Sequence, residues 1–114
     1  MNDIEVRLDI EADSFLQDLP YVLLNEGFKS SIETALNYVD EILEQIRQLP
    51  SMPHYPLSLL AQRHYAIYGE NLRYTFFRRK SAPQTTWYIF FQVKDGKYLV
   101  KHIANNWQEG QYIR

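Results

Sequence analysis

Cationic and aromatic side chains are interspersed in the stretch NLRYTFFRRKSAPQTTWYIFF. Arg78, Arg79 and Lys80 are consecutive, Arg73 precedes them and Tyr88 follows them. Cationic groups pair with phosphate and aromatic rings stack on bases, so these residue types suit an RNA backbone and its bases. We predict that Arg78, Arg79, Lys80 and Tyr88 bind such a substrate. A solvated turn is the alternative interpretation of the basic run.

The histidines are the candidates for proton transfer, because imidazole both accepts and donates protons near neutral pH. His54, His64 and His102 lie far apart in the sequence, and nothing predicts that they converge on a metal ion. His102, near the end of the last predicted strand, is the candidate general acid or base, and a hydrogen-bonded strand histidine is the alternative. The sequence has no phosphate-cradling glycine loop, zinc-protease motif or nucleophile elbow. We therefore predict neither a metal nor a cofactor.

The charge of the chain is divided between its two halves. Residues 1–61 carry three Lys and Arg against eleven Asp and Glu, a net charge of −8. Residues 62–114 carry nine Lys and Arg against three Asp and Glu, a net charge of +6. Such segregation predicts a polyanionic or acidic partner for the C-terminal half. The alternative is that the two halves face each other in the fold.

Length and composition predict one domain over residues 1–114. The sequence has no cysteine, which excludes disulfides and thiolate chemistry. No apolar run approaches the roughly 20 residues of a membrane span. The N-terminal residues lack the cationic and apolar blocks of a signal peptide. We expect a soluble cytoplasmic protein with no membrane partner, of unspecified oligomeric state.

An N-terminal strand and a first helix are predicted in residues 4–24. Apolar and charged residues alternate over residues 4–11, which is typical of a half-buried strand. Apolar residues at helical spacing over residues 14–24 predict a helix that is kinked at Pro20 or begins near it. Gly27 is the predicted left-handed C-terminal cap of this helix.

A second amphipathic helix is predicted to begin with an S-x-x-E capping box made of Ser30 and Glu33. Apolar residues then recur at three- and four-residue steps, which is the spacing of one helix face. These residues are Ile32, Ala35, Leu36, Val39, Ile42, Leu43, Ile46 and Leu49. Pro50 is predicted to end the helix.

The C-terminal half is predicted to be a β-meander. Strands are predicted over residues 63–68, 72–79, 85–94 and 97–104, with turns at residues 81–84 and at Asp95-Gly96. The expected fold is α+β, with a two-helix hairpin packed on a mostly antiparallel four- to five-stranded sheet in the order β-α-α-β-β-β(-β). The side chains expected to face the helices are Tyr74, Phe76, Ile89 and Phe91, and those expected to face away are Arg73, Arg79 and Tyr88.

With these features the chain resembles the RelE/ParE-superfamily toxins, the growth-arresting halves of type II toxin–antitoxin pairs. The opening strand with DSFLQDLPYVLLNEGFKSSIETALNYVDEILEQIRQLP is similar to the helical hairpin of the family. GENLRYTFF is similar to its G-x-x-L-R strand, and TTWYIFFQVKDGKYLVKHI to its Y-R-x-x-Y-x-V hairpin and final strand. The resemblance covers nearly the whole chain, and it implies a RelE/ParE-like fold and a cognate antitoxin as partner.

In the ribosome-dependent RelE branch, basic residues on the sheet and a tyrosine near the C-terminus are implicated in mRNA cleavage. The resemblance therefore implies catalytic roles for Arg73 and Tyr112 beside His102, and ribosome-bound mRNA as the substrate. Three positions depart from the family pattern, because Tyr88 replaces an arginine, Thr75 replaces a lysine and Asn106 stands near the place of a basic group. The ParE branch is similar in fold and inhibits DNA gyrase by binding. A gyrase inhibitor, or a nucleic-acid-binding relative without toxicity, is therefore the alternative expectation.

Overall fold

The computed structural model describes residues 4–79 and 82–113, which form a five-stranded sheet and four α-helices. The strands are β1 (Glu5–Leu8), β2 (Tyr55–Pro56), β3 (Arg73–Arg79), β4 (Ala82–Lys94) and β5 (Lys97–Asn105). The helices are α1 (Ile10–Asn25), α2 (Ile32–Arg47), α3 (Leu59–His64) and α4 (Asn106–Ile113), with 3-10 turns at Leu49–Ser51 and Ala66–Tyr68. None of the described helices is long and apolar enough to cross a membrane.

The strand order in the sheet is β1-β5-β4-β3-β2. β1 pairs with β5 in parallel, and the other neighbouring strands pair antiparallel, so the sheet is mixed. The predicted α+β class is therefore confirmed. Asp95 and Gly96 both have positive φ angles, as the predicted tight turn between β4 and β5 requires.

The turn predicted at residues 81–84 is only partly described. β4 already begins at Ala82, so Pro83 and Gln84 belong to a strand and their assignment to a turn is wrong. β3 and β4 remain paired down to Arg79 and Ala82. Lys80 and Ser81 lie outside the described residues.

Helix α1 begins earlier than predicted and continues through Pro20. Asp9 caps it, because its Oδ1 accepts a hydrogen bond from the Ile10 backbone N–H at 2.8 Å. The strand predicted before it therefore ends sooner, and Ile10 is 82% exposed instead of buried in a sheet. Gly27 ends the helix with a φ of +76°, which confirms the predicted left-handed cap.

Helix α2 is capped by Ser31 and not by Ser30. The Ser31 hydroxyl oxygen accepts a hydrogen bond from the Thr34 backbone N–H at 3.2 Å and so satisfies a donor that the first helical turn leaves free. The predicted capping box of Ser30 and Glu33 is wrong by one residue. Two adjacent serines offered alternative caps, and the structure uses the second.

The helical hairpin of α1 and α2 packs on one face of the sheet, here called the hairpin face. Its buried core comprises Ala12, Leu16, Leu19, Leu23, Ala35, Tyr38, Val39, Ile42, Ile46, Leu49, Phe77, Trp87, Ile89, Phe91, Val100 and Ile103. Thr75 pairs with Ile89, and paired residues of neighbouring strands share a face. The β3 side chains under the helices are therefore Thr75 and Phe77. The prediction that Tyr74 and Phe76 face the helices is wrong.

The opposite side of the sheet, here called the outer face, carries a second and smaller core. Its buried residues are Leu57, Ala61, Tyr65, Phe90, Ala104 and Ile113, supplied by the sheet, α3 and α4 and the segments next to them. The strand predicted over residues 63–68 is wrong, because this segment is the end of α3 and a 3-10 turn. Apolar alternation over so few residues does not distinguish a strand from a helical turn.

Candidate functional site

A β-bulge in β5 places His102 on the outer face. Phe90 pairs with His102, but Phe91 pairs with Val100, so Lys101 is an extra residue in β5. Residues two apart in a regular strand share a face, and the extra residue breaks this rule between Val100 and His102. His102 therefore projects toward α4, whereas Val100 lies under the helical hairpin.

His102 and Glu109 form a hydrogen-bonded pair at this position. His102 Nε2 lies 3.0 Å from Oε1 and 3.2 Å from Oε2 of the Glu109 carboxylate. Tyr68 stacks on the imidazole with ring centroids 4.1 Å apart. The two paired side chains are 14% and 22% exposed, so both are largely but not completely buried. The carboxylate and the tyrosine ring together hold the imidazole in one orientation.

The buried setting of the pair affects the ionisation of Glu109 and Tyr65. Burial by itself would raise the pKa of Glu109, but the hydrogen bond and charge of His102 outweigh burial and lower the pKa below its usual value. Burial raises the pKa of Tyr65, and the nearby negative charge of Glu109 raises it further. The Tyr65 hydroxyl makes no hydrogen bond of normal geometry within the described residues, although it lies close enough to the Glu109 carboxylate for the two groups to affect each other's pKa. The site thus combines an ionised carboxylate with a neutral phenol.

Tyr112 lies in the same cluster as His102. Its ring stacks on His64 with centroids 3.6 Å apart and planes 6° from parallel. The Tyr65 ring lies between the two histidines, 4.7 Å from His64 and 5.6 Å from His102. The structure therefore brings together two of the three predicted catalytic residues, and it adds Glu109 and His64, which sequence reasoning missed.

Glu109 reaches His102 because α4 is tied firmly to the sheet. The Asn105 side-chain oxygen accepts a hydrogen bond from the Gln108 backbone N–H at 3.0 Å and caps the helix. The Asn106 side-chain oxygen accepts one from the Thr86 backbone N–H at 2.8 Å. Asn106, which stands near the place of the basic group that the resemblance led us to expect, thus anchors α4 to the sheet. The paired asparagines were the one sequence signal for a helix that returns Glu109 to the sheet.

Arg73 and Arg79 lie on the hairpin face, away from His102. Arg73 Nη2 donates to the His54 carbonyl oxygen at 3.4 Å. Arg79 pairs with the Glu41 carboxylate, and its guanidinium lies 4.2 Å from the centroid of the Tyr38 ring. The predicted grouping of these arginines with Tyr88 is wrong, since neighbouring β3 side chains alternate between the faces.

Arg78 and Tyr88 are the predicted substrate-binding residues that lie on the outer face. Arg78 Nε donates to the Thr86 hydroxyl oxygen at 2.8 Å. Tyr88 packs beside Tyr74 and Phe76, with ring centroids 6.2 Å apart in both contacts. Lys80, the remaining predicted member of the set, lies outside the described residues.

Two ion pairs join the acidic and basic halves of the chain. Arg79 pairs with Glu41, and Lys101 Nζ lies 2.6 Å from Asp9 Oδ2. The hydrogen bond from Lys101, together with the Ile10 backbone N–H, lowers the pKa of Asp9. Some of the opposite charges on the two halves therefore pair with each other within the fold. This agrees with the alternative interpretation, in which the two halves face each other.

The His102–Glu109 pair has the geometry of a general base. The Glu109 carboxylate lies within hydrogen-bond distance of His102 Nε2. The other ring nitrogen, Nδ1, makes no hydrogen bond within residues 4–79 and 82–113. In the tautomer with the ring proton on Nε2, Nδ1 carries the lone pair, and a nitrogen of this kind is able to accept a proton. The carboxylate then stabilises the imidazolium that forms.

An open groove of about 820 Å³ lies apart from this pair. Its lining includes Leu57, Gln62, Glu70, Asn71 and Arg73. Neither His102 nor Glu109 lines it, and the Arg73 guanidinium next to it donates to a carbonyl. We place the candidate site at the His102–Glu109 pair, because acid–base chemistry requires those groups and the groove offers no comparable pair.

The carboxylate of Glu109 makes the stability of the fold depend on pH. Its pKa is lower in the folded protein, so its contribution to stability is complete above its usual value of 4.5 and is lost as the pH falls through the lower folded-state pKa. Glu109→Gln is expected to reduce the loss of stability between about pH 6 and about pH 3. Guanidinium unfolding at the two pH values measures this difference. An identical loss in the wild type and in Glu109→Gln would contradict it, and Glu33→Gln, an exposed helix carboxylate, is the matched control.

No group of three or more His, Cys, Asp or Glu side chains that could hold a metal ion occurs in the described part of the chain. No family model, curated protein or solved structure matches the chain. A functional assignment therefore depends on the geometry of the site and on the resemblance carried by the motifs.

Proposed function

We propose that the protein is the toxin of a type II toxin–antitoxin module, with a RelE/ParE-like fold, and that it arrests growth in the cytoplasm by cleaving mRNA at the ribosome. The observation that carries this proposal is the His102–Glu109 pair, with Nε2 and Oε1 3.0 Å apart. RNA cleavage by 2′-hydroxyl attack needs a general base that can approach the ribose. Tyr112, the tyrosine that the resemblance implies, lies in the same cluster and supports the assignment.

In the proposed reaction, His102 Nδ1 takes the proton of the ribose 2′-hydroxyl. The 2′-oxygen bonds to phosphorus while the bond from phosphorus to the 5′-oxygen breaks, and the leaving oxygen takes a proton from water. The products are a 2′,3′-cyclic phosphate and a 5′-hydroxyl. Glu109 orients His102 and stabilises its imidazolium form. Tyr112, held against His64, orients the substrate.

A gyrase inhibitor that acts by binding, as in the ParE branch, is the second candidate. The position of Arg73 and Arg79 on the hairpin face favours it, because neither arginine can stabilise a phosphate held at His102. Loss of one such donor costs about 3–4 kcal/mol of transition-state stabilisation in other enzymes. A binding inhibitor requires no such stabilisation.

The partner in either case is an antitoxin whose acidic, amphipathic segment folds onto the basic half of the chain. The net charge of +6 on residues 62–114 suits this partner. Co-expression with the product of the adjacent gene is the direct test of the complex, and failure to co-purify would count against it. Added salt is expected to slow the association of the two chains.

Expression without the antitoxin distinguishes the candidates when growth, transcripts and DNA supercoiling are followed together. Growth arrest with new 5′ ends inside coding regions, formed only during translation, supports the nuclease. Growth arrest with intact transcripts and reduced supercoiling supports the gyrase inhibitor. Unchanged growth, transcripts and supercoiling at high expression would overturn both.

A further inference from the structure

We infer that four aromatic rings on the outer face form a platform on which the unpaired bases of single-stranded RNA stack. The platform consists of Tyr55, Tyr74, Phe76 and Tyr88, with Arg78 at its edge. The inference rests on the proposed function for the choice of RNA, and it adds a base-binding subsite to the proton-transfer site.

The rings of the platform contact one another across three strands. Tyr55 of β2 lies 5.5 Å from both Tyr74 and Phe76 of β3, centroid to centroid, and its ring plane is 23° from that of Phe76. Tyr88 of β4 lies 6.2 Å from the same two β3 rings. Each ring thus holds its neighbours in place. A surface ordered in advance in this way loses little conformational entropy when a base stacks on it.

The platform is open to solvent at Phe76, and its three tyrosines are partly buried. Phe76 is 42% exposed, and neither Phe76 nor Tyr55 belongs to either apolar core. Phe76 therefore buries less apolar surface in the folded protein than a core phenylalanine does. Base–aromatic stacking tolerates any sequence because every base has a π face. This tolerance suits an enzyme that meets many messages.

Arg78 gives the platform a positive charge that no carboxylate of the described residues neutralises. Its Nε is held by the Thr86 hydroxyl, and it forms no ion pair within residues 4–79 and 82–113. The neighbouring Arg79 is paired with Glu41. Arg78 lies on the same face as Phe76, two residues further along β3, so its charge complements a phosphate that flanks the stacked base. A purely apolar protein segment would gain nothing from this cation.

The tyrosine hydroxyls provide hydrogen-bonding groups at the rim of the platform. Burial raises the pKa of Tyr74, and the proximity of the Tyr88 and Tyr55 hydroxyls raises it further. The Tyr74 hydroxyl is protonated at neutral pH, as in any tyrosine, and can donate a hydrogen bond to a base edge or to a ribose oxygen. Flat rings, phenolic donors and one free cation together match the parts of an unpaired nucleotide.

The platform and the candidate catalytic pair are neighbours on the outer face. The Tyr74 ring lies 6.0 Å from Phe90, and the Phe90 ring lies 5.7 Å from His102, centroid to centroid. Because Phe90 is fully buried, it separates the two sites without itself binding substrate.

Fluorescence anisotropy with a labelled single-stranded RNA oligonucleotide tests the platform. The protein carries His102→Gln throughout, so that the probe stays intact. Phe76→Leu keeps apolar volume and removes the π face, and we expect it to weaken binding by about 5- to 150-fold, the range found for one stacked base. Arg78→Gln should reduce the slope of log affinity against log salt by about 0.7. Phe28→Leu and Arg47→Gln, at exposed positions away from the sheet, are the matched controls and should leave binding unchanged.

Unchanged RNA binding by folded Phe76→Leu and Arg78→Gln would overturn the platform. Loss of antitoxin binding in these variants, with RNA binding intact, would also overturn it and assign the surface to a protein partner. Cleavage is measured separately, on ribosomes and with His102 intact. Cleavage by the protein with His102 intact, combined with RNA binding that does not depend on Phe76, would leave the proposed function standing without the platform. RNA binding that depends on Phe76, combined with no cleavage by the protein with His102 intact, would retain the platform and contradict the nuclease.

Discussion

Ile42→Ala is expected to remove about 2–5 kcal/mol from the free energy of unfolding, most of the stability margin of a small domain. Ile42 is completely buried in α2, within the core between the helical hairpin and the sheet. Truncation there loses apolar contacts and leaves a cavity, because packed helices collapse only partly around a missing side chain. Urea unfolding monitored by circular dichroism measures the loss.

Leu36→Ala is the matched control for Ile42→Ala, because Leu36 lies in the same helix and is 48% exposed. It should cost far less, since about half of its surface is already in water. A loss below about 0.5 kcal/mol for Ile42→Ala, or an equal loss for both variants, would mean that α2 does not pack on the sheet as described.

His102→Gln is expected to lower the rate of mRNA cleavage by about 100- to 10,000-fold, the usual contribution of a general base. Glutamine retains a hydrogen-bonding group for Glu109, but it lacks the imidazole nitrogen Nδ1 that would accept the substrate proton. Single-turnover cleavage of a defined message on purified ribosomes measures the rate. Glu109→Gln should lower it less, because the imidazole remains but loses its stabilising charge.

His54→Gln is the matched control for the histidine substitution. His54 Nε2 contacts the Leu49 carbonyl oxygen at 2.9 Å, and its ring packs on Phe91, on the hairpin face. Its replacement leaves the His102–Glu109 pair intact, so cleavage should continue near the wild-type rate. Equal losses in the two variants would indicate damage to the fold instead of loss of a base.

Local signals in the sequence were sufficient for much of the fold. Gly27 and the Asp95-Gly96 pair mark chain reversals that require positive φ, and the structure has them there. The apolar stripe of α2 has a buried face that includes Val39 and Ile42. Such features depend on neighbouring residues only, so composition and spacing suffice to predict them.

The orientation of β3 could not be predicted, because both faces of the strand carry aromatic side chains. Tyr74 and Phe76 alternate with Thr75 and Phe77, and each pair includes an aromatic ring that suits a core. Alternation identifies the strand but not the face on which the helical hairpin packs. Because of this error, Arg73 and Arg79 were expected on the wrong face of the sheet, and the site that they were expected to form was misplaced as well.

The candidate site depends on two features that have no strong sequence signal. The bulge at Lys101 decides the face of His102, and no glycine or other bulge signature marks it. Glu109 reaches His102 only because α4 folds back on the sheet after Asn105. His102 and Tyr112 could therefore be proposed individually, while their association with Glu109 and His64 required the tertiary structure.

Mapping of transcript 5′ ends in cells that express the protein without its antitoxin tests the central claim most directly. The wild type, His102→Gln and Arg73→Gln are compared at equal levels of folded protein. We predict new ends inside coding regions with the wild type and none with His102→Gln. Ends that persist in His102→Gln, or that disappear only in Arg73→Gln, would contradict a catalytic site at the His102–Glu109 pair.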